Sequence, residues 1–246
     1  MSRAGLRTLA LASVGGFVDA IGFLVLFNMF TAHMSGNSVW FGAAIGAGSW
    51  RIGLHHLFPI PLFATGLAAG AVTVELARRR RLRAPFAPVL MIEMALLALF
   101  VLAGAPHMAD GSLRAAAGAF YGLAALPALA MGLQNAVLSR DAGQTLHTTY
   151  ITGVLQTLVE SAVRYGFWLV REVRGHGWRP ALRASPGEPA LRAVRAAGLT
   201  WLAYVTGALG GGLAAQRWEL HALALPIALL AVVAGVDLAW PEATAP

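Results

Sequence analysis

A chain of 246 residues that is 58% hydrophobic and 12% charged, with a mean hydropathy of +0.67, is not written for water; soluble domains carry about a quarter of their residues charged. The absence of cysteine excludes disulfides, thiolate metal sites and thiol catalysis. The net charge of +7 comes from basic residues that are all Arg and that flank apolar runs, which points to membrane orientation and anionic headgroups rather than nucleic acid.

The runs are taken in chain order. The first, about 9–28, follows Arg3 and Arg7 and carries Asp19 at its middle, so it reads as a mature span rather than a signal peptide. A polar, glycine-bearing stretch follows, Phe30-Thr31-Ala32-His33-Met34-Ser35-Gly36-Asn37. The apolar segment 38–48 behind it is too short to cross and reads as a half-helix beginning at the Ser-Gly-Asn turn. The second span, about 57–77, ends in Arg78-Arg79-Arg80-Arg81 and Arg83, and the third covers about 86–104. The fourth, about 113–138, contains Pro127 and leads to a polar stretch 144–153 and an incomplete apolar segment 154–170 that holds Glu160 and Arg164. The region 171–195, with six Arg, three Pro and three Gly, reads as a basic loop. The fifth span is about 196–215 and the sixth about 223–240.

Basic loops stay cytoplasmic. Placing 78–83 and 171–195 inside puts the loops near His107 and Arg217 outside and both termini inside, with the two short segments re-entering. The expected protein is a single multi-pass domain, 1–246, in a bacterial inner membrane.

Three passages recur in order. Gly16-Phe17-Val18-Asp19-Ala20 matches Gly132-Leu133-Gln134-Asn135-Ala136. The stretch 31–37 matches Thr148-Thr149-Tyr150-Ile151-Thr152-Gly153-Val154, and Ala64-Thr65-Gly66 through Gly70 matches Val205-Thr206-Gly207 through Gly211. Three spans per half, about 9–104 and 113–240, is an odd number, so the second half enters the membrane in the opposite sense. The expected fold is an all-α integral membrane protein of about six transmembrane helices, a 3+3 inverted repeat with two short re-entrant or broken segments. Secondary transporters use that architecture, with the solute at the midplane where broken helices meet.

An ionisable residue inside a span costs about 2.5–3.5 kcal/mol on insertion scales and normally faces the bundle interior. Asp19, opposite the neutral Asn135 and beside Gln134 in the repeat, suits a cation, a proton or a structural hydrogen bond. The polar turns add Thr31, His33, Ser35, Gly36 and Asn37 in one half and Thr149, Thr152 and Gly153 in the other, where a broken helix frees backbone groups for a ligand or where Ser35 and Thr152 cap helices. Glu93 and Asp237 are expected to snorkel or pair with a loop Arg. Glu160 and Arg164, four apart, are expected to pair with each other. His55-His56 lacks the spacing that puts two metal ligands on one helix face. No phosphate loop, nucleophile motif or dinucleotide fingerprint appears, so neither a cofactor nor an enzymatic activity is expected.

The combination of GFVDAIGF and FTAHMSGN with GLQNAV and TTYITG, running over nearly the whole chain, resembles the YoaK family of bacterial membrane proteins. That family usually carries Thr where this chain has Ser35. The resemblance implies a six-helix inner-membrane protein and assigns no substrate.

The leading expectation is a small-solute transporter or permeation pathway, with its site at the interface of the halves. The expected partners are the bilayer, a small solute or ion, and a second copy of the chain in a homo-oligomer. The alternative is a non-transport assembly or lipid-interacting protein that uses the same polar residues for helix packing.

Overall fold

The computed structural model describes residues 2–109, 117–141 and 151–240. Among these there is no strand, and ten α-helices carry the fold: α1 (Arg3–Val25), α2 (Met34–Gly46), α3 (Trp50–Leu57), α4 (Pro59–Arg79), α5 (Ala87–Ala109), α6 (Ala117–Asp141), α7 (Ile151–His176), α8 (Trp178–Ala184), α9 (Pro189–Trp218) and α10 (Ala224–Ala239). Five helical stretches are long and apolar enough to cross a membrane: Arg3–Val25, Trp50–Arg79, Ala87–Met108, Gly118–Ser139 and Pro189–Ala239. The last is two helices, α9 and α10, joined by a 3-10 turn, Glu219–Leu223, where Glu219 adopts a φ of 47°.

Local chemistry sets the ends. Ser2 caps α1 by accepting the Gly5 amide at 3.2 Å, and the helix stops at Val25 because Phe27 and Asn28 turn left-handed, with φ of 53° and 66°. Asn28 tolerates that conformation; for Phe27 it is uncommon. The first helix therefore ends three residues before the expected residue 28, although it begins earlier, at Arg3 rather than about residue 9. Helix α2 starts at Met34, so Ser35, Gly36 and Asn37 form its first turn rather than a turn in front of it, and its cap residue is His33. At 13 residues it rises about 20 Å and falls short of a bilayer core.

The expected basic loop 171–195 is mostly helical. Helix α7 runs on to His176, Gly177 breaks it with a φ of 85°, α8 follows, and Pro189 opens α9 at its first position with Glu188 as the cap. Arg is a good helix former and Pro is tolerated in a first turn, so charge here reports which side of the membrane the segment favours, not its backbone. Glu160 and Arg164 do not pair as expected. Glu160 accepts from Gln156 at 2.8 Å, and Arg164 donates to Ser161 Oγ at 3.0 Å.

The helices interlock through two glycine contacts. Helix α1 packs on α9, and α4 packs on α6. A Cβ on Gly16 would overlap the Tyr204 carbonyl oxygen and crowd the Ala208 amide, and one on Gly207 would overlap the Ser13 carbonyl. In the other pair, a Cβ on Gly132 would overlap the Phe63 carbonyl and crowd the Leu67 amide, and one on Gly66 would overlap the Leu129 carbonyl. Gly211 and Gly70 close the pattern against the carbonyls of Phe17 and Leu133. Every α1 residue named maps to its α6 counterpart by one shift, that of Gly16 onto Gly132. Every α4 residue maps to α9 by another, that of Gly66 onto Gly207. The two interfaces thus use the same register, and each joins a helix from one half of the chain to a helix from the other.

Backbone oxygens cannot move aside as side chains can, so overpacking here costs about 1–3 kcal/mol or more. Gly16→Val and Gly132→Val should each lower the melting temperature of the detergent-purified protein, and by similar amounts. Gly166→Ala, a helical site with nothing within 4 Å of a new Cβ, should leave it unchanged or raise it. A neutral Gly16→Val beside a damaging Gly166→Ala would count against the interlock.

Candidate polar site at Asp19

Asp19 sits on the last two turns of α1, 4% exposed, and the chain after α1 folds back over it. One oxygen, Oδ1, accepts from the Thr31 amide at 2.8 Å, the Ala32 amide at 2.9 Å and the Thr31 hydroxyl at 3.1 Å. The other, Oδ2, faces His33 Nδ1 at 2.6 Å and accepts from the Tyr204 hydroxyl of α9 at 3.2 Å. A carboxylate is an acceptor only, so His33 presents its Nδ1–H, and the nearby Tyr204 hydroxyl, 3.1 Å from the same nitrogen, is left to donate to Asp19. Five donors therefore converge on one buried carboxylate, and charge-assisted bonds of this kind are about twice as strong as neutral ones. The His33 side chain is 27% exposed and is the part of the cluster that reaches the surface.

Neighbouring residues hold this geometry. Asn37, fully buried, accepts the Phe30 amide at 3.1 Å and donates to the Phe30 carbonyl at 2.8 Å, which ties the connection to the first turn of α2. Gly36 lies against the Phe30 ring. Gly22 leaves room for the Thr31 methyl, which a Cβ would overlap.

The expected site residues are thus sorted. Asp19, Thr31 and His33 come together, with Asn37 and Gly36 behind them. Ser35 is exposed in the first turn of α2, and His33 rather than Ser35 holds the cap position, so the capping role does not apply to it. Gln134 is buried on α6 and donates to the Leu11 carbonyl of α1, two turns from Asp19, and Asn135 is buried beside it. Thr152 is exposed and Gly153 half-buried in the first turn of α7, so neither is a cap. Thr149 lies outside the described residues.

Three groups depart from expectation. Tyr204 was missed, although the signal was present: its repeat counterpart is Phe63, so a hydroxyl stands in one half where the other has bare ring. Asp237 pairs not with a loop but with Arg7 of α1, at 2.7 Å, and the Arg7 guanidinium lies 4.6 Å from the Phe86 ring centroid. Glu93 does not snorkel. It is 0% exposed, and neither oxygen has a hydrogen-bond donor among the described residues.

Substitutions should rank by the donors they strand. Tyr204→Phe removes one hydroxyl and should cost about 0.5–1.5 kcal/mol. Asp19→Ala leaves the Thr31 and Ala32 donors buried without an acceptor and should cost about 3–5 kcal/mol. Asp19→Asn should fall between, because the Tyr204 hydroxyl and the other His33 tautomer can turn to accept from the amide. Melting curves of the four proteins in one detergent check the order; an Asp19→Ala protein as stable as wild type would remove the carboxylate from the frame.

No curated protein and no solved structure matches the chain. A family profile described as a protein of unknown function, DUF1275, matches residues 8–236. That match covers both glycine interfaces and the whole Asp19 cluster, and the chain belongs to the DUF1275 family.

Proposed function

We propose that the chain is a small-solute transporter or permeation pathway of the bacterial inner membrane, with six passes arranged as a 3+3 inverted repeat. The paired glycine contacts support the repeat: one register serves α1 on α9 and again α6 on α4. Counting α9 and α10 as separate passes gives three per half, and an odd number reverses the second half. The observation that carries transport is the Asp19 cluster. A carboxylate inside an apolar bundle is costly, and this one is bonded to an imidazole that reaches the surface. It is also unpaired in the repeat, since the matching residues are Asn135 and Phe63. One charged half against one neutral half suits a single proton or cation moving with the solute.

A second reading has its own support. The carboxylate draws five donors from the chain itself, which suits an assembly or lipid-interacting protein in which Asp19 only pins the connection after α1. A solute-binding screen on the purified protein comes first, then uptake into proteoliposomes with and without a pH gradient. Transport predicts gradient-driven uptake that Tyr204→Phe slows and Asp19→Asn abolishes. Uptake with unchanged gradient dependence in Asp19→Asn would leave Asp19 a structural role only.

The inverted repeat has a separate test. Cysteines placed by Arg80→Cys and Arg183→Cys should resist an impermeant thiol reagent in intact cells, while Arg217→Cys reacts. Labelling at residue 183 without labelling at 80 would defeat the arrangement.

A further inference from the structure

Glu93 lies on the face of α5 that carries Leu90, Leu97 and Phe100, all buried, with the buried Phe86 just before the helix. This face packs on α6 and α10. Gly104 of α5 comes near Leu123 of α6 as well as Leu220 of the 3-10 turn: a Cβ on Gly104 would lie 3.8 Å from Leu123 Cδ2. Eleven residues are close to three helical turns, so a step of that size returns to the same face. The step runs from Gly104 to Glu93 on α5 and from Leu123 to Gln134 on the antiparallel α6. Glu93 and Gln134 therefore face one interface at one height. Gln134 spends its amide group on the Leu11 carbonyl, which leaves its Oε1 buried and without a donor among the described residues, like both oxygens of Glu93. Both Glu93 oxygens and Gln134 Oε1 are thus buried acceptors to which no described group donates.

The charged groups around it are accounted for. On the elements packed against α5, the helix α10 offers Asp237, held by Arg7 of α1, and α4 offers Arg78. Arg7 and Arg78 both lie over the ring of Phe86, which precedes α5, while Glu93 is about two turns into that helix. Glu219 and His221 belong to the 3-10 turn at the opposite end, beside Gly104. An ionised Glu93 would be a buried charge with no partner, which proteins avoid by neutralising the group. A cluster that holds acceptors alone is completed by one donor.

We propose that Glu93 and Gln134 form a proton-binding site in the core of the bundle, separate from the Asp19 cluster. The Glu93 carboxylate takes up one proton, and the resulting O–H donates to Gln134 Oε1. A small metal cation shares the chemistry of a positive charge among oxygens, but three side-chain oxygens fall short of the six or so a hard cation prefers. The proposal holds whether or not the chain transports a solute.

Infrared spectroscopy of the full-length protein in nanodiscs tests it. At about pH 8, far above the ordinary glutamate value near 4.3, the wild type should retain a carboxylic-acid carbonyl band that Glu93→Gln lacks. The band should move to higher wavenumber in Gln134→Leu, where the acid has lost its acceptor. Raising the pH should lower the wild-type melting temperature more steeply than that of Glu93→Gln, since the fold holds a proton that the unfolded chain has already released. Should Glu93→Gln not fold, the wild-type band and its shift in Gln134→Leu decide alone. A wild type without an acid band, a band unmoved in Gln134→Leu, or a melting temperature that follows Na⁺ rather than pH would each overturn the proposal.

Discussion

Backbone touching backbone is the constraint from which the site follows. Where Gly16 lies on the Tyr204 carbonyl, α1 and α9 approach more closely than any side chain would allow. Lipid tails are as apolar as Leu, so helices in a membrane gain little from hydrophobic burial against each other and rely on close packing instead. Gly16 and Asp19 are three apart on α1 and share a face, so the contact that seats Tyr204 against Gly16 also sets its hydroxyl beside the Asp19 carboxylate. Gly22, one turn further on, admits the Thr31 methyl and lets the returning chain deliver its amides to the same carboxylate. Two glycines along one helix thus determine where a charge can be held.

The two buried acids show how the same side-chain chemistry takes opposite roles. Asp19 is surrounded by donors alone, and a carboxylate is the form that uses all of them. Glu93 lies on the apolar face of α5 with no donor among the described residues, and there the acid is the form that offers something. Neither outcome is visible in residue type or in depth within a span. It depends on whether a neighbouring segment turns its amides inward, as 31–33 does for Asp19, or continues as helix with its amides already bonded, as α5 and α6 do around Glu93.

This explains what the sequence could and could not disclose. Spans were legible because apolar length is a one-dimensional property, and so was the placement of Asp19, Thr31 and His33, which lie within fifteen residues of one another. The recurrence of the glycine passages at 66–70 and 207–211 was legible, but not their partners, because a contact between α1 and α9 joins residues nearly two hundred apart. Tyr204 was hidden for that reason. The helices of 171–195 were hidden for another: charge and proline were read as loop, although Arg favours helix and Pro189 occupies the one helical position where proline fits. Glu93 was expected to snorkel or pair with a loop Arg because those are the usual escapes for a charged side chain within a span. Its place about two turns into α5, on the buried face of that helix, puts it too deep for that.

The comparison between halves carries the argument one step further. If the two glycine interfaces began as copies, the sites beside them began as copies too, and their present difference is a change made within one frame. Asp19 faces Tyr204 across the first interface, while Asn135 and Phe63 occupy the matching places at the second. Replacing acid by amide and phenol by phenyl removes the charge and the hydroxyl but barely alters volume, so the packing that sets the helices survives while the chemistry is lost. A frame that needed the charge for stability would have kept it on both sides. The α4–α6 interface has the same glycine register without it, so the register alone suffices to dock the helices, and the carboxylate at the first interface answers to the segment 31–33 that folds over it.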